Sequence, residues 1–129
     1  MRVLPVSTST RIEGVCFVRE WPNGTGQVTF WCPGCESGHT IQFGSSETWT
    51  WDGRTDRPTF EPSVLALSHG RSFDEANPER EGPIPPQPRC HSFVRDGRIE
   101  YLSDSDHALA GQTVDMVPLP ERYAQFLAD

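Results

Sequence analysis

Residues 31–39 of the chain read WCPGCESGH, and the rest of the sequence is organised around this stretch. A proline and a glycine separate Cys32 from Cys35, so a tight turn directs both sulfurs to one point. Zinc is the usual ion for thiolate and imidazole ligands in such a turn. His39 follows Cys35 closely enough to reach the same ion. The stretch therefore predicts a zinc knuckle, the name used below for residues 32–35.

A zinc ion held by two thiolates and one imidazole still needs a fourth ligand. Cys90 is the one other cysteine with a histidine, His91, beside it, and we predict that Cys90 completes the site. For the imidazole, His39 ranks first because it lies just past the knuckle, and His107 ranks second. His91 ranks third, because neighbours on a strand point to opposite faces. The predicted metal ligands are Cys32, Cys35, His39 and Cys90.

Two other interpretations of the paired cysteines compete with zinc. A redox pair usually opens a helix that follows a strand, whereas the residues on both sides of the knuckle alternate like strands. A disulfide framework belongs to secreted proteins, and the apolar part of residues 1–5 is too short for a secretion signal. The sequence favours zinc over both.

Composition limits the class of protein. The chain has 129 residues, 35% of them hydrophobic, and a net charge of −7, which predicts a single domain over residues 1–129 with a modest core. The negative charge argues against general nucleic-acid binding. No apolar run approaches the ~20 residues that span a bilayer, so we expect no membrane association and a cytoplasmic location. All 11 basic residues are arginine, which excludes amine nucleophiles and Schiff-base chemistry.

The hydrophobic pattern predicts a mainly β fold, a single small zinc-binding domain of antiparallel hairpins. Residues 1–13 are expected to form a loose N-terminal arm, and the Pro-rich residues 69–88 a long loop. The prolines of residues 57–63 argue against a central strand there. A short helix is predicted from Glu121 to Ala128. The predicted strands cover residues 15–18, 27–31, 39–43, 64–67, 90–94, 98–102 and 113–117.

An Asp-Gly turn at residues 96 and 97 joins two alternating runs and predicts a hairpin. If Val94 faces Ile99 across it, the residues after the second strand must lie at the same end as the start of the first. The hairpin therefore brings together four polar side chains, those of Cys90, His91, Asp104 and His107.

Four blocks of the sequence together resemble a family of small, uncharacterised proteins of bacteriophages and prophages that carry a domain of unknown function. The resemblance spans about residues 28–120, implies a phage origin and zinc binding, and supplies no activity. The blocks, in order, are residues 31–35 with His39, 57–63, 90–97 and 107–114.

Two functions compete at this point. The first is a phage-encoded accessory protein, folded around structural zinc, that binds a host component or a small ligand; one version of it counteracts host defence. Its expected partner is an unknown host protein or a small molecule.

The alternative function is a small zinc-dependent hydrolase. In this hypothesis the ion keeps one position open for water, and His107 or Asp104 serves as the base. The predicted ligand or catalytic site comprises His91, Asp104 and His107, with Trp49 or Trp51 nearby. The competing interpretation is that these groups only brace the zinc turn.

Overall fold

Two antiparallel β-sheets and one short helix make up residues 8–67 and 89–128, the part of the chain that the computed structural model describes. The strands are β1 (Ser9–Glu13), β2 (Cys16–Glu20), β3 (Gly26–Cys32), β4 (Ser37–Phe43), β5 (Thr50–Trp51), β6 (Phe60–Leu67), β7 (Arg89–Arg95), β8 (Arg98–Tyr101) and β9 (Thr113–Asp115), and the helix is α1 (Glu121–Ala128). The first sheet has the order β1-β2-β3-β4 and the second the order β5-β6-β7-β8-β9. The predicted mainly β fold and its short C-terminal helix are confirmed.

The zinc knuckle is the tip of a hairpin in the first sheet. Strands β3 and β4 pair with Val28 opposite Ile41 and Cys32 opposite Ser37. The main-chain N–H of Glu36 donates to the Cys32 carbonyl over 2.8 Å and closes the turn. Period-two alternation therefore places the knuckle where the sequence predicted it.

The core lies between the inner faces of the two sheets. Alternate residues of β3 and β7 are buried there, and Phe30 of β3 stacks on Phe60 of β6 with ring centroids 5.6 Å apart. Cys16 is fully buried in this core, and burial raises the pKa of its thiol to about 12. Cys16 is thus an inert core residue rather than a metal ligand.

Strand β6 corrects one prediction, because Pro62 lies inside it. Strand β6 stands between β5 and β7, whereas the prolines argued against a central strand. The pairing with β7 shifts register between Phe60 and Val64, so a bulge surrounds Pro62. Proline has no N–H for the ladder, and a bulge is where a sheet tolerates that loss.

The second sheet contains the predicted hairpin. Strands β7 and β8 pair with Val94 opposite Ile99, as the Asp-Gly turn predicted.

Ser9–Glu13, within the predicted N-terminal arm, form β1 and pair with β2. The predicted loop at 69–88 lies outside the described residues. Within the described ranges, no helix has the length and apolar content needed to cross a membrane.

Candidate functional site

Four ligand atoms meet where the knuckle of the first sheet touches β7 of the second. The sulfurs of Cys32, Cys35 and Cys90 and a ring nitrogen of His39 all lie within 4.8 Å of one another. Three of the four residues are buried, and Cys35 is half-buried. We call this group the Cys3His cluster. It brings together the four residues that the sequence predicted as metal ligands, and it could hold a metal ion.

The spacing of the sulfurs fits a metal and excludes a disulfide. The Sγ atoms of Cys32 and Cys90 are 3.8 Å apart, and none of the four cysteines is in a disulfide. A disulfide would need about 2.05 Å. Two sulfurs each about 2.3 Å from a tetrahedral zinc ion stand about 3.8 Å apart. The donor set and its spacing therefore suit zinc.

The three thiols of the cluster compete for negative charge. Hydrogen bonds from Cys35 and Cys90 lower the pKa of Cys32. The hydrogen bond to Cys32 raises the pKa of Cys35 to about 12, and the pKa of Cys90 is raised mainly by the same neighbour. One thiolate thus forms at the expense of the other two, and a bound cation would offset the repulsion among three.

His107 lies beside the cluster rather than in it. The main-chain N–H of Leu109 donates to its Nδ1, so Nε2 carries the proton and donates to the Cys90 sulfur over 3.3 Å. The ring packs edge-on against Tyr101 and covers Gly34, where an added Cβ would collide with it. His107 therefore orients a sulfur ligand, and glycine at position 34 makes room for it.

A second constellation occupies the outer face of the second sheet. The hydroxyl of Ser63 donates to His91 Nε2 over 3.0 Å, and His91 Nδ1 donates to an oxygen of Asp104 over 3.2 Å. The His91 side chain is 25% exposed and that of Asp104 43%, so the group opens to solvent. The order of these contacts and the three residue types match those of a Ser-His-Asp triad.

Strand β7 serves both sites because successive residues point to opposite faces. Cys90 is buried towards the core and joins the Cys3His cluster, whereas His91 faces outwards. On β6, Ser63 lies just before the pairs Val64–Ser92 and Leu65–His91, and its hydroxyl contacts His91 of the neighbouring strand. The two sites are therefore back to back across one strand.

The segment after β8 holds Asp104 against His91. The Ser105 hydroxyl accepts from the His91 main-chain N–H and donates to the His91 carbonyl, both over 3.0 Å. Asp106 accepts the main-chain N–H of Arg89 over 2.7 Å. The two residues that follow Asp104 are thus bound to the main chain of β7, and Asp104 also lies 3.6 Å from the Arg89 guanidinium.

The structure divides the predicted site residues into two groups. His91 and Asp104 meet on the outer face, as the hairpin geometry indicated, but His107 contacts Cys90 of the Cys3His cluster on the other side of β7. Ser63 was missed, because it comes from a strand 28 residues earlier in the chain. The sequence around Ser63 carries no familiar nucleophile motif, and a serine after two prolines resembles an ordinary turn.

A family model described as "Bacterial ubiquitination-like system serine protease (BubE)" matches residues 4–102, well over half of the chain. No curated protein and no solved structure matches the chain. The predicted phage accessory protein is therefore wrong, since the matching model describes a protease and points to no phage origin. The zinc-dependent hydrolase does not fit that description either. The chain belongs to the family of the bacterial ubiquitination-like system serine protease (BubE).

Proposed function

We propose that this chain is a serine protease of a bacterial ubiquitination-like system, with Ser63 as nucleophile, His91 as general base and Asp104 as the group that orients His91. The observation that carries the proposal is the unbroken pair of hydrogen bonds from Ser63 through His91 to Asp104, of 3.0 and 3.2 Å. The family description supports it. The match includes Ser63 and His91 and ends at residue 102, so Asp104 rests on geometry.

Each group has a defined task in the reaction. Ser63 Oγ attacks the scissile carbonyl while His91 Nε2 takes its proton, and the proton then passes to the leaving amine as the C–N bond breaks. Water, deprotonated by His91, hydrolyses the acyl-enzyme and restores Ser63. Asp104 keeps the proton of the resting imidazole on Nδ1 and stabilises the imidazolium that forms during each step.

A fluorophosphonate probe, which reacts covalently with activated serine hydroxyls, tests the proposal. The purified protein should be labelled, and mass spectrometry of its peptides should place the label on Ser63. Prior heat denaturation should abolish labelling, because the triad exists only in the fold. A native protein that stays unlabelled, or is labelled at another serine, contradicts the proposal.

Asp104→Asn should lower the rate of fluorophosphonate labelling by about 10²- to 10⁴-fold, because an amide favours the wrong tautomer of His91. Asp115→Asn is the matched control, since Asp115 is 84% exposed and contacts Arg98 instead. Its rate should stay within twofold of wild type. Equal rates for the two variants would remove Asp104 from the mechanism.

We further propose that the Cys3His cluster binds one zinc ion with a structural role. Four protein ligands fill a tetrahedron and leave no position for water, and the triad lies on the opposite face of β7. The ion would cross-link the knuckle of the first sheet to β7 of the second. Reduced cysteines that bind a metal suit a reducing compartment such as the cytoplasm, which is the location we propose.

Two histidine variants separate a ligand from its supporting neighbour. His39→Ala should lose most of the zinc, because it removes one of four ligands. His107→Ala should retain about one ion per chain, with affinity weakened by about 10- to 100-fold, because it removes only the hydrogen bond to the Cys90 sulfur. Elemental analysis and titration with a zinc chelator measure both. Loss of zinc in His107→Ala alone would assign the fourth ligand to His107.

A further inference from the structure

We infer that Trp49 is a positioning residue for the nucleophile, acting through a hydrogen bond to the main chain of Ser63. The inference rests on the proposed function and adds a residue outside the triad. The indole N–H of Trp49 donates to the Ser63 carbonyl over 3.1 Å. Trp49 is half-buried and packs against the core, so core contacts restrict the position of its ring.

Trp49 also connects the two sheets. Its main-chain N–H donates to the carbonyl of Gln42 in β4 over 2.9 Å, while its side chain reaches Ser63 in β6. Strand β4 carries His39, a member of the Cys3His cluster. Through Trp49, the main chain at Ser63 is therefore bound to the first sheet as well as to the second.

The need for such a contact follows from the bulge in β6. Regular pairing with β7 is interrupted between Phe60 and Val64, and the pairing with β5 ends at Glu61, opposite Thr50. Ser63 thus lies where neither neighbouring strand provides regular ladder pairing. An unsatisfied carbonyl next to the core is costly, and the Trp49 indole supplies a donor in place of a strand.

The contact also restricts rotation of the nucleophile. The Ser63 side chain is held by His91, and its carbonyl by Trp49. Without the hydrogen bond from Trp49, the main chain at Ser63 gains conformational freedom. The Ser63 Oγ is then aligned with His91 Nε2 for a smaller fraction of the time. Because the indole contacts the main chain and not the reacting atoms, it should affect kcat more than KM.

Trp49→Phe tests the inference, because it removes the N–H and keeps an aromatic ring in the core. We expect fluorophosphonate labelling of Ser63 to slow by about five- to tenfold, and kcat for p-nitrophenyl acetate hydrolysis to fall by the same factor with KM unchanged. Trp51→Phe is the matched control. Trp51 is also half-buried, and its indole donates to the Arg54 carbonyl over 2.9 Å, not to Ser63. Its rates should stay within twofold of wild type.

Thermal unfolding of both variants separates positioning from general stability. The inference predicts similar Tm values for the two variants and a slower reaction only in Trp49→Phe. It is overturned if Trp49→Phe reacts at the wild-type rate, or if both variants slow equally. A wild-type protein that the probe does not label overturns the proposed function and the inference together, whereas labelled wild-type protein with an unaffected Trp49→Phe variant overturns the inference alone.

Discussion

Ser63→Ala should reduce hydrolysis of p-nitrophenyl acetate to the uncatalysed background, a fall of about 10³-fold or more, and should abolish fluorophosphonate labelling. The variant removes the oxygen that lies 3.0 Å from His91 Nε2, and loss of a triad nucleophile removes nearly all of the rate enhancement. Labelling kinetics and initial rates of hydrolysis measure the two effects.

Two controls make the result specific to Ser63. Ser103→Ala removes an exposed hydroxyl near the same end of the sheet and should react at the wild-type rate. The Tm of Ser63→Ala should stay close to that of wild type, because the Ser63 side chain is only half-buried. A folded Ser63→Ala protein that still reacts with the probe would show that another residue is the nucleophile.

Cys32→Ser should lose both the metal and the folded state. Cys32 is fully buried, its sulfur lies 3.8 Å from that of Cys90 and 3.1 Å from the Tyr101 hydroxyl, and it belongs to the Cys3His cluster. Because metal binding and folding are coupled in small domains, the free energy of unfolding should fall by at least several kcal/mol. Elemental analysis and circular dichroism during thermal unfolding measure the two losses.

Cys16→Ala is the matched control for Cys32→Ser. Cys16 is equally buried but stands in the core, outside the Cys3His cluster. This variant should keep about one zinc ion per chain, with a modest loss of stability from the small cavity. A Cys32→Ser protein that is folded and fully metallated would contradict the ligand assignment, as would a Cys32–Cys35 disulfide in the wild-type protein.

Local patterns account for the parts of the fold that the sequence predicts well. Alternation on both sides of the knuckle predicts the β3–β4 hairpin, and the Asp-Gly turn predicts the pairing of Val94 with Ile99. From these two hairpins follow the position of the knuckle and the proximity of His91 to Asp104. Each of these inferences spans few residues, so a single register determines it.

The sequence did not predict Ser63, the proposed nucleophile, because its contact with His91 depends on pairing between strands that are distant in the chain. Ser63 meets His91 through the pairing of β6 with β7. Pro62 interrupts the period-two pattern of β6. Because proline normally argues against a central position in a sheet, the sequence predicts no central strand there. The hairpin places Asp104 and His107 at the same end, but it does not determine which face each side chain occupies: Asp104 contacts His91, and His107 contacts Cys90.

The absence of lysine has a meaning that composition alone did not suggest. Ubiquitination usually targets the side-chain amine of lysine, and this chain belongs to a family named for a ubiquitination-like system. All 11 of its basic residues are arginine. The protein therefore offers no lysine side chain as an acceptor for such a conjugate.

Two separate groups of contacts, one on each face, constrain the register of strand β7. Cys90 must point inwards to join the other sulfurs, and His91 must point outwards to meet Ser63 and Asp104. A single-residue insertion or deletion within the strand would exchange the faces. It would place an imidazole among the sulfurs and a thiol beside the serine. A substitution at Cys90 or at His91 should therefore affect one site, whereas a change in the length of β7 should affect both sites at once.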